Sequence, residues 1–188
     1  MVTEIELKAH VKNNEELRRL LSEKAVFLHS FEKEDNYWFG ENTSLPSSGL
    51  RIRREKRRFE DGREEIANLA TFKTKEVRNA IEINDEREFA VDPVTEFEEF
   101  LRRLGMRAER YKKKKGWAFS KDGINAELVE VQGLGCFIEL EIIADNNREE
   151  TFAGARKKLM DFLVELGIDA EAIESRFYTE MLKDASSG

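Results

Sequence analysis

The chain has 188 residues, 40% hydrophobic and 38% charged, with a formal net charge of −7. This length and apolar fraction suit a single domain with its own core, and the acidic balance argues against general nucleic-acid binding. No apolar run approaches the ~20 residues a membrane helix requires, and Cys136, the only cysteine, excludes an intrachain disulfide and a cysteine-rich zinc site.

In chain order, the opening Met1–Lys8 has no signal-peptide-like apolar stretch and reads as the first strand, so the expected compartment is the cytoplasm. A strand has a side-chain period of two, which puts Glu4, Glu6, Lys8 and His10 on one face and Ile5, Leu7, Ala9 and Val11 on the other. Asn14 is placed to cap a helix through Lys24, with Glu15 and Glu16 in its first turn and Leu17, Leu20 and Leu21 as its apolar stripe. A strand over Glu34–Phe39 follows, and residues 40–49, with Pro46 and three serines, read as a mobile loop. Leu50–Lys56 is the next strand, Asp61-Gly62 a hairpin signal, and Asn68–Lys75 and Ile81–Val91 two more strands.

Asp92-Pro93 opens a helix carrying Phe97, Phe100, Leu101 and Leu104 on one face and ending at Gly105. Strands over Arg110–Ser120 and Ile124–Gln132 flank Asp122-Gly123, and Phe137–Ile143 resumes the extended run after Gly133-Leu134-Gly135. The last long helix, Arg148–Leu166, presents Phe152, Leu159, Phe162, Leu163 and Leu166. Residues 1–184 are expected to form the domain and 185–188 a disordered tail.

The strands share one design. Arg51 and Arg53 oppose Leu50 and Ile52; Lys73 and Lys75 share a face with Thr71; Glu86 and Glu88 oppose Phe89 and Val91; Glu139 and Glu141 oppose Ile138, Leu140 and Ile142. A solvated face of ion pairs accounts for any one of these strands. Together they point to a sheet closed on itself, with helices over its apolar outside and carboxylates and cations lining a tunnel. Such a lining needs opposite charges, a metal and a polyanion to compensate one another.

These residues resemble the CYTH domain of the triphosphate tunnel metalloenzyme superfamily, which includes class IV adenylyl cyclases, thiamine triphosphatases and inorganic triphosphatases. The resemblance rests on Glu4-x-Glu6-x-Lys8, Arg51/Arg53, Lys73, Gly133-Leu134-Gly135-x-Phe137-x-Glu139 and Glu174-Ser175-Arg176-x-Tyr178. It implies an α+β fold, an antiparallel eight-stranded β tunnel with helices packed outside.

By the same resemblance Glu4, Glu6 and Lys8 are catalytic, and Glu4, Glu6, Glu127, Glu139 and Glu141 are candidate ligands for Mg²⁺ or Mn²⁺. Lys8, Arg51, Arg53, Lys73, Lys75, Lys112, Lys114 and Arg176 are candidate grips on the substrate phosphates. In the lysine run the alternative register places Lys113 and Lys115 inside. Val129 departs from the family pattern where a metal-binding aspartate is usual, with Glu127 and Glu130 as substitutes. His10 is expected at a tunnel mouth or the surface, and His29 in a loop without a catalytic role.

The expected ligand is a small triphosphate: ATP, tripolyphosphate or thiamine triphosphate. No nucleic acid or membrane partner is expected, and a homodimer follows from family analogy alone. Attack by the ribose 3′-hydroxyl on ATP would make this a cyclase, and attack by water a triphosphatase. A non-catalytic nucleotide or polyphosphate binder is the third reading.

Overall fold

The computed structural model describes residues 3–40, 48–144 and 148–186. Eight strands, β1 (Thr3–His10), β2 (Val26–Phe39), β3 (Ser48–Arg58), β4 (Glu64–Arg78), β5 (Ile81–Ala90), β6 (Arg107–Lys121), β7 (Ile124–Val131) and β8 (Gly135–Ala144), close into a barrel in the order β1-β5-β4-β3-β2-β6-β7-β8. Every pairing is antiparallel. Helices α1 (Asn14–Lys24), α2 (Val94–Arg103), α3 (Glu149–Glu165) and α4 (Tyr178–Ser186) complete the α+β fold.

The principal core lies outside the barrel wall. Ile5, Leu7 and Ala9 of β1 cluster with Leu128 of β7 and with Ile138 and Leu140 of β8, under α1 and α3. Leu17 and Leu21 of α1, and Phe152, Ala155, Leu159, Phe162 and Leu163 of α3, recur at helical spacing and are buried there. Cover is partial elsewhere. On α2, expected to carry Phe97, Phe100, Leu101 and Leu104 on one face, Leu101 is buried, but Phe100 and Leu104 are 55% and 62% exposed.

Local chemistry sets the boundaries. The cap of α1 is Asn13, not Asn14: its side chain accepts from the Glu16 backbone amide at 3.2 Å. Asp122 and Gly123 both have positive φ and join β6 to β7 in a two-residue turn that suits a hairpin's twist. The expected strand at Glu34–Phe39 begins at Val26, which places His29 within β2 instead of a loop. Residues 41–47 of the expected 40–49 loop lie outside those described, and α4 runs two residues into the stretch expected as a tail.

A second apolar cluster continues the inner faces of several strands. Phe31, Ala118, Val129, Val131 and Phe137 are buried against Tyr178 and Met181 of α4. This cluster and α4 bound the charged interior on that side.

Candidate functional site

Inside the wall is a cavity of about 440 Å³ lined by charged residues from all eight strands and by the start of α4. The strand register sets carboxylates opposite one another: Glu6 faces Glu141 and Glu82, and Glu127 faces Glu139. Facing like charges repel, so cations must lie between them. Lys8 donates to Glu82 at 2.9 Å. Lys114 lies 2.6 Å from Glu139 and 3.2 Å from Glu127. Lys73 lies 2.7 Å from Glu4, 3.0 Å from Glu86 and 3.8 Å from Glu6.

Glu141 faces Glu6 with no cation paired to it among the described residues. Burial, then the nearby Glu4 and Glu6, pushes its carboxyl up to about 8. Burial likewise raises Glu4 to about 6 against the pull of Lys73. For Glu86 the upward push of burial is overcome by Lys73 and Arg51, which hold it at about 2.

Toward β2, β3 and β6 the balance reverses. Arg53 donates Nε and Nη2 to the two oxygens of Asp35 at 2.7 and 2.9 Å, and Lys112 lies 3.1 Å from the same carboxylate. Burial alone would raise Asp35, but Arg53 and Lys112 hold it well below the usual carboxylate range. Lys33 lies 2.5 Å from Glu127 and 3.9 Å from Glu55, while Arg57 donates to Glu55 at 2.7 Å. Arg51 donates to Thr71 at 2.9 Å, Glu86 at 3.2 Å and Glu88 at 3.3 Å. The tunnel is therefore polarised. Glu4, Glu6, Glu86 and Glu141 gather around Lys73, whereas Lys33, Lys112, Lys114, Arg53 and Arg57 gather around Asp35, Glu55 and Glu127. The first group suits a cation and the second an anion.

Glu4, Glu6, Lys8, Arg51, Arg53, Lys73, Lys112, Lys114, Glu127, Glu139 and Glu141 all line this cavity. Lys112 and Lys114 point inward, whereas Lys113 pairs with Glu34 and Lys115 with Glu130 on the outer side. Glu130 thus faces away from the tunnel and cannot stand in at position 129, where Val129 is fully buried in the apolar cluster. Arg176 is also not brought to the cavity lining: it is exposed and paired with Glu174 at 2.7 Å. The Lys75 side chain lies outside those described.

His10 is exposed, 3.3 Å from Glu174. His29 lines the cavity, its imidazole pushed down by burial and by Arg57. Lys33, Asp35, Glu55, Arg57 and Glu82 line or border the tunnel, and none of them stands out from the sequence reading. For Glu82 a signal exists, since it continues the alternation through Asn84, Glu86 and Glu88. For Lys33 and Asp35 it is obscured, because Glu32, Lys33, Glu34 and Asp35 are charged at successive positions.

Among the described residues no three His, Cys, Asp or Glu side chains converge tightly enough to cage a metal by themselves. Mg²⁺ commonly takes one or two carboxylates and completes its shell with water and substrate phosphates. The oxygen-rich Glu4, Glu6, Glu139 and Glu141 set fits that kind of site, and the buried Glu139 Oε1 has no hydrogen-bond partner.

A Pyrococcus horikoshii protein of known structure is 29% identical, covers 96% of this chain and 98% of its own, and superposes with a TM-score of 0.81. A Methanocaldococcus jannaschii protein with a provisional adenylate cyclase name is 24% identical over 182 residues, 95% of this chain and 97% of its own. A Hippeastrum structure shares the fold at 18% identity and a TM-score of 0.67, with 100% of this chain and 96% of its own covered. Residues 3–178 match the profile of the CYTH domain, and the chain belongs to that family.

Proposed function

We propose that this protein is a divalent-metal-dependent enzyme that binds a triphosphate in its tunnel and converts ATP to cyclic AMP and pyrophosphate. The observation that carries this reading is the separation of charge within one cavity: Glu4, Glu6 and Glu141 on one side, Arg53, Lys112 and Lys114 on the other. Glu4, Glu6, Glu139 and Glu141 would hold Mg²⁺ or Mn²⁺. Such an ion supplies charge neutralisation at phosphate and lowers the pKa of an attacking hydroxyl.

The chain's own residues position the phosphates. Arg51 and Arg53 offer planar forks, and Lys8, Lys73, Lys112 and Lys114 compact charges. Each is already ion-paired, so phosphate oxygens would exchange with carboxylates in place of water. Transfer at phosphorus depends mainly on in-line positioning and on stabilising developing charge. The adenylate cyclase name of the Methanocaldococcus relative supports the cyclase reading. A second reading, hydrolysis of inorganic or thiamine triphosphate, is favoured by the dominant triphosphatase activity described for the Hippeastrum protein.

The test is ³¹P NMR of products from ATP and tripolyphosphate with Mn²⁺. Pyrophosphate with a cyclic phosphodiester resonance is expected, and Glu4→Ala and Glu6→Ala should abolish metal-dependent turnover. Orthophosphate without the cyclic resonance would establish the triphosphatase instead. Phosphate resonances broadened by the protein without turnover would identify a binder.

A further inference from the structure

We infer that Lys33 is a phosphate-binding cation of the tunnel and that Glu127 is its internal counter-ion, displaced when a phosphate enters. This rests on the triphosphate reading above. Lys33 stands on the inner face of β2, lines the cavity and is nearly buried, with its side chain 7% exposed. Glu55 has a nearer partner than Lys33: it accepts from Arg57 at 2.7 Å while the Lys33 ammonium stays at 3.9 Å.

The closest demand on Lys33 therefore comes from Glu127, with Glu55 a more distant counter-charge at 3.9 Å, and the two oxygens of Glu127 are divided between two ammoniums. Oε1 takes Lys33 at 2.5 Å and Oε2 takes Lys114 at 3.2 Å. Lys114 has a nearer partner in Glu139 at 2.6 Å. An ammonium carries three donors, so Lys33 has donor capacity beyond its bond to Glu127. A phosphate oxygen arriving beside Lys33 and Lys114 would replace one singly charged acceptor with a more highly charged one.

The same geometry explains why Glu127 is a poor metal ligand here. Both its oxygens are engaged by ammonium groups, and a divalent ion between them would face two like charges at close range. Val129, next along the same inner face of β7, is fully buried among apolar side chains and adds no second carboxylate. The β7 side is therefore built to receive an anion, and the metal falls to β1 and β8.

Isothermal titration with tripolyphosphate in EDTA separates these roles without turnover. Lys33→Met should weaken binding on the order of tenfold to a hundredfold, the effect of losing a charged hydrogen bond. Glu127→Gln removes the competing charge and should tighten binding by about threefold to tenfold. Unchanged affinity in Lys33→Met, or weakened affinity in Glu127→Gln, would overturn the inference while wild-type binding upheld the triphosphate reading. A wild type that binds no tripolyphosphate, in EDTA or with Mn²⁺, would overturn both. If Lys33→Met fails to fold, Glu127→Gln decides alone, since Lys33 there keeps Glu55 as a nearby counter-charge.

Discussion

Arg51 and Arg53 stand two residues apart on β3 and face the same cavity, yet their partners give them different weights. Arg53 holds Asp35 through two hydrogen bonds, and the Asp35 side chain is completely buried. Arg53→Ala would leave that carboxylate with Lys112 at 3.1 Å and the more distant charge of Arg51. Breaking a buried pair in this way costs about 3–5 kcal/mol, and urea denaturation should show that loss. Arg51→Ala should leave the fold near wild-type stability, because Thr71 still donates to Glu88 at 2.8 Å, while weakening tripolyphosphate binding in calorimetry. Equal destabilisation by the two variants would contradict this division.

Asp35 also carries a pH signature. Its carboxyl is depressed below the ordinary 3.8 by Arg53 and Lys112 acting against burial. The stability it contributes is therefore present above about pH 4 and lost as pH falls through the depressed value. Asp35→Asn should cost most at neutral pH, and its deficit against wild type should shrink in strongly acidic urea melts. A deficit constant across that range would mean that the side chain's shape matters and its charge does not.

At the scale of single elements, β6 shows how one residue lets the wall close. Gly116 lies opposite Phe31 on β2 and Val129 on β7. A Cβ built there would stand 2.0 Å from the Leu128 carbonyl oxygen, a backbone atom that cannot swing aside. Gly116→Ala should therefore destabilise the barrel by about 1–3 kcal/mol, the usual cost of overpacking. An unchanged denaturation midpoint would refute the close approach.

The strands also differ in how readable they are. In β1 the strict alternation from Glu4 to Ala9 identifies both faces, because one side is covered by apolar helices. In β2 it fails, since Glu34 on the outer side pairs with Lys113 while Asp35 on the inner side pairs with Arg53. A strand charged on both faces has no apolar rhythm to mark its inside. The lysine run in β6 is ambiguous for the same reason, and only its pairing with β2 and β7 places Lys112 and Lys114 inward.

Across the whole molecule the usual arrangement is turned outward. The principal apolar core sits between barrel and helices, and the cavity inside is lined by charges, with a smaller apolar cluster closing it under α4. Stability and ligand occupancy should therefore be strongly linked. Tripolyphosphate with Mn²⁺ at a hundred times its dissociation constant should add about 2.7 kcal/mol, seen as a higher thermal midpoint. Glu6→Ala should lose the increment due to Mn²⁺ while keeping that due to tripolyphosphate alone. A full Mn²⁺ increment in that variant would place the metal away from β1.

Strand alternation and helical spacing, local properties of consecutive residues, determined the two-faced strands, the external helices and a sheet closed around charge, while the antiparallel eight-stranded order followed from the resemblance to the CYTH domain. The tertiary structure decided which charges meet. It bound Arg53 to Asp35, turned Glu130 outward, left Arg176 away from the cavity and set Val129 into the apolar cluster under α4. Those outcomes depend on strand register and on what packs against each face. Both arise between segments far apart in the chain, where no local pattern of residues can specify the partner.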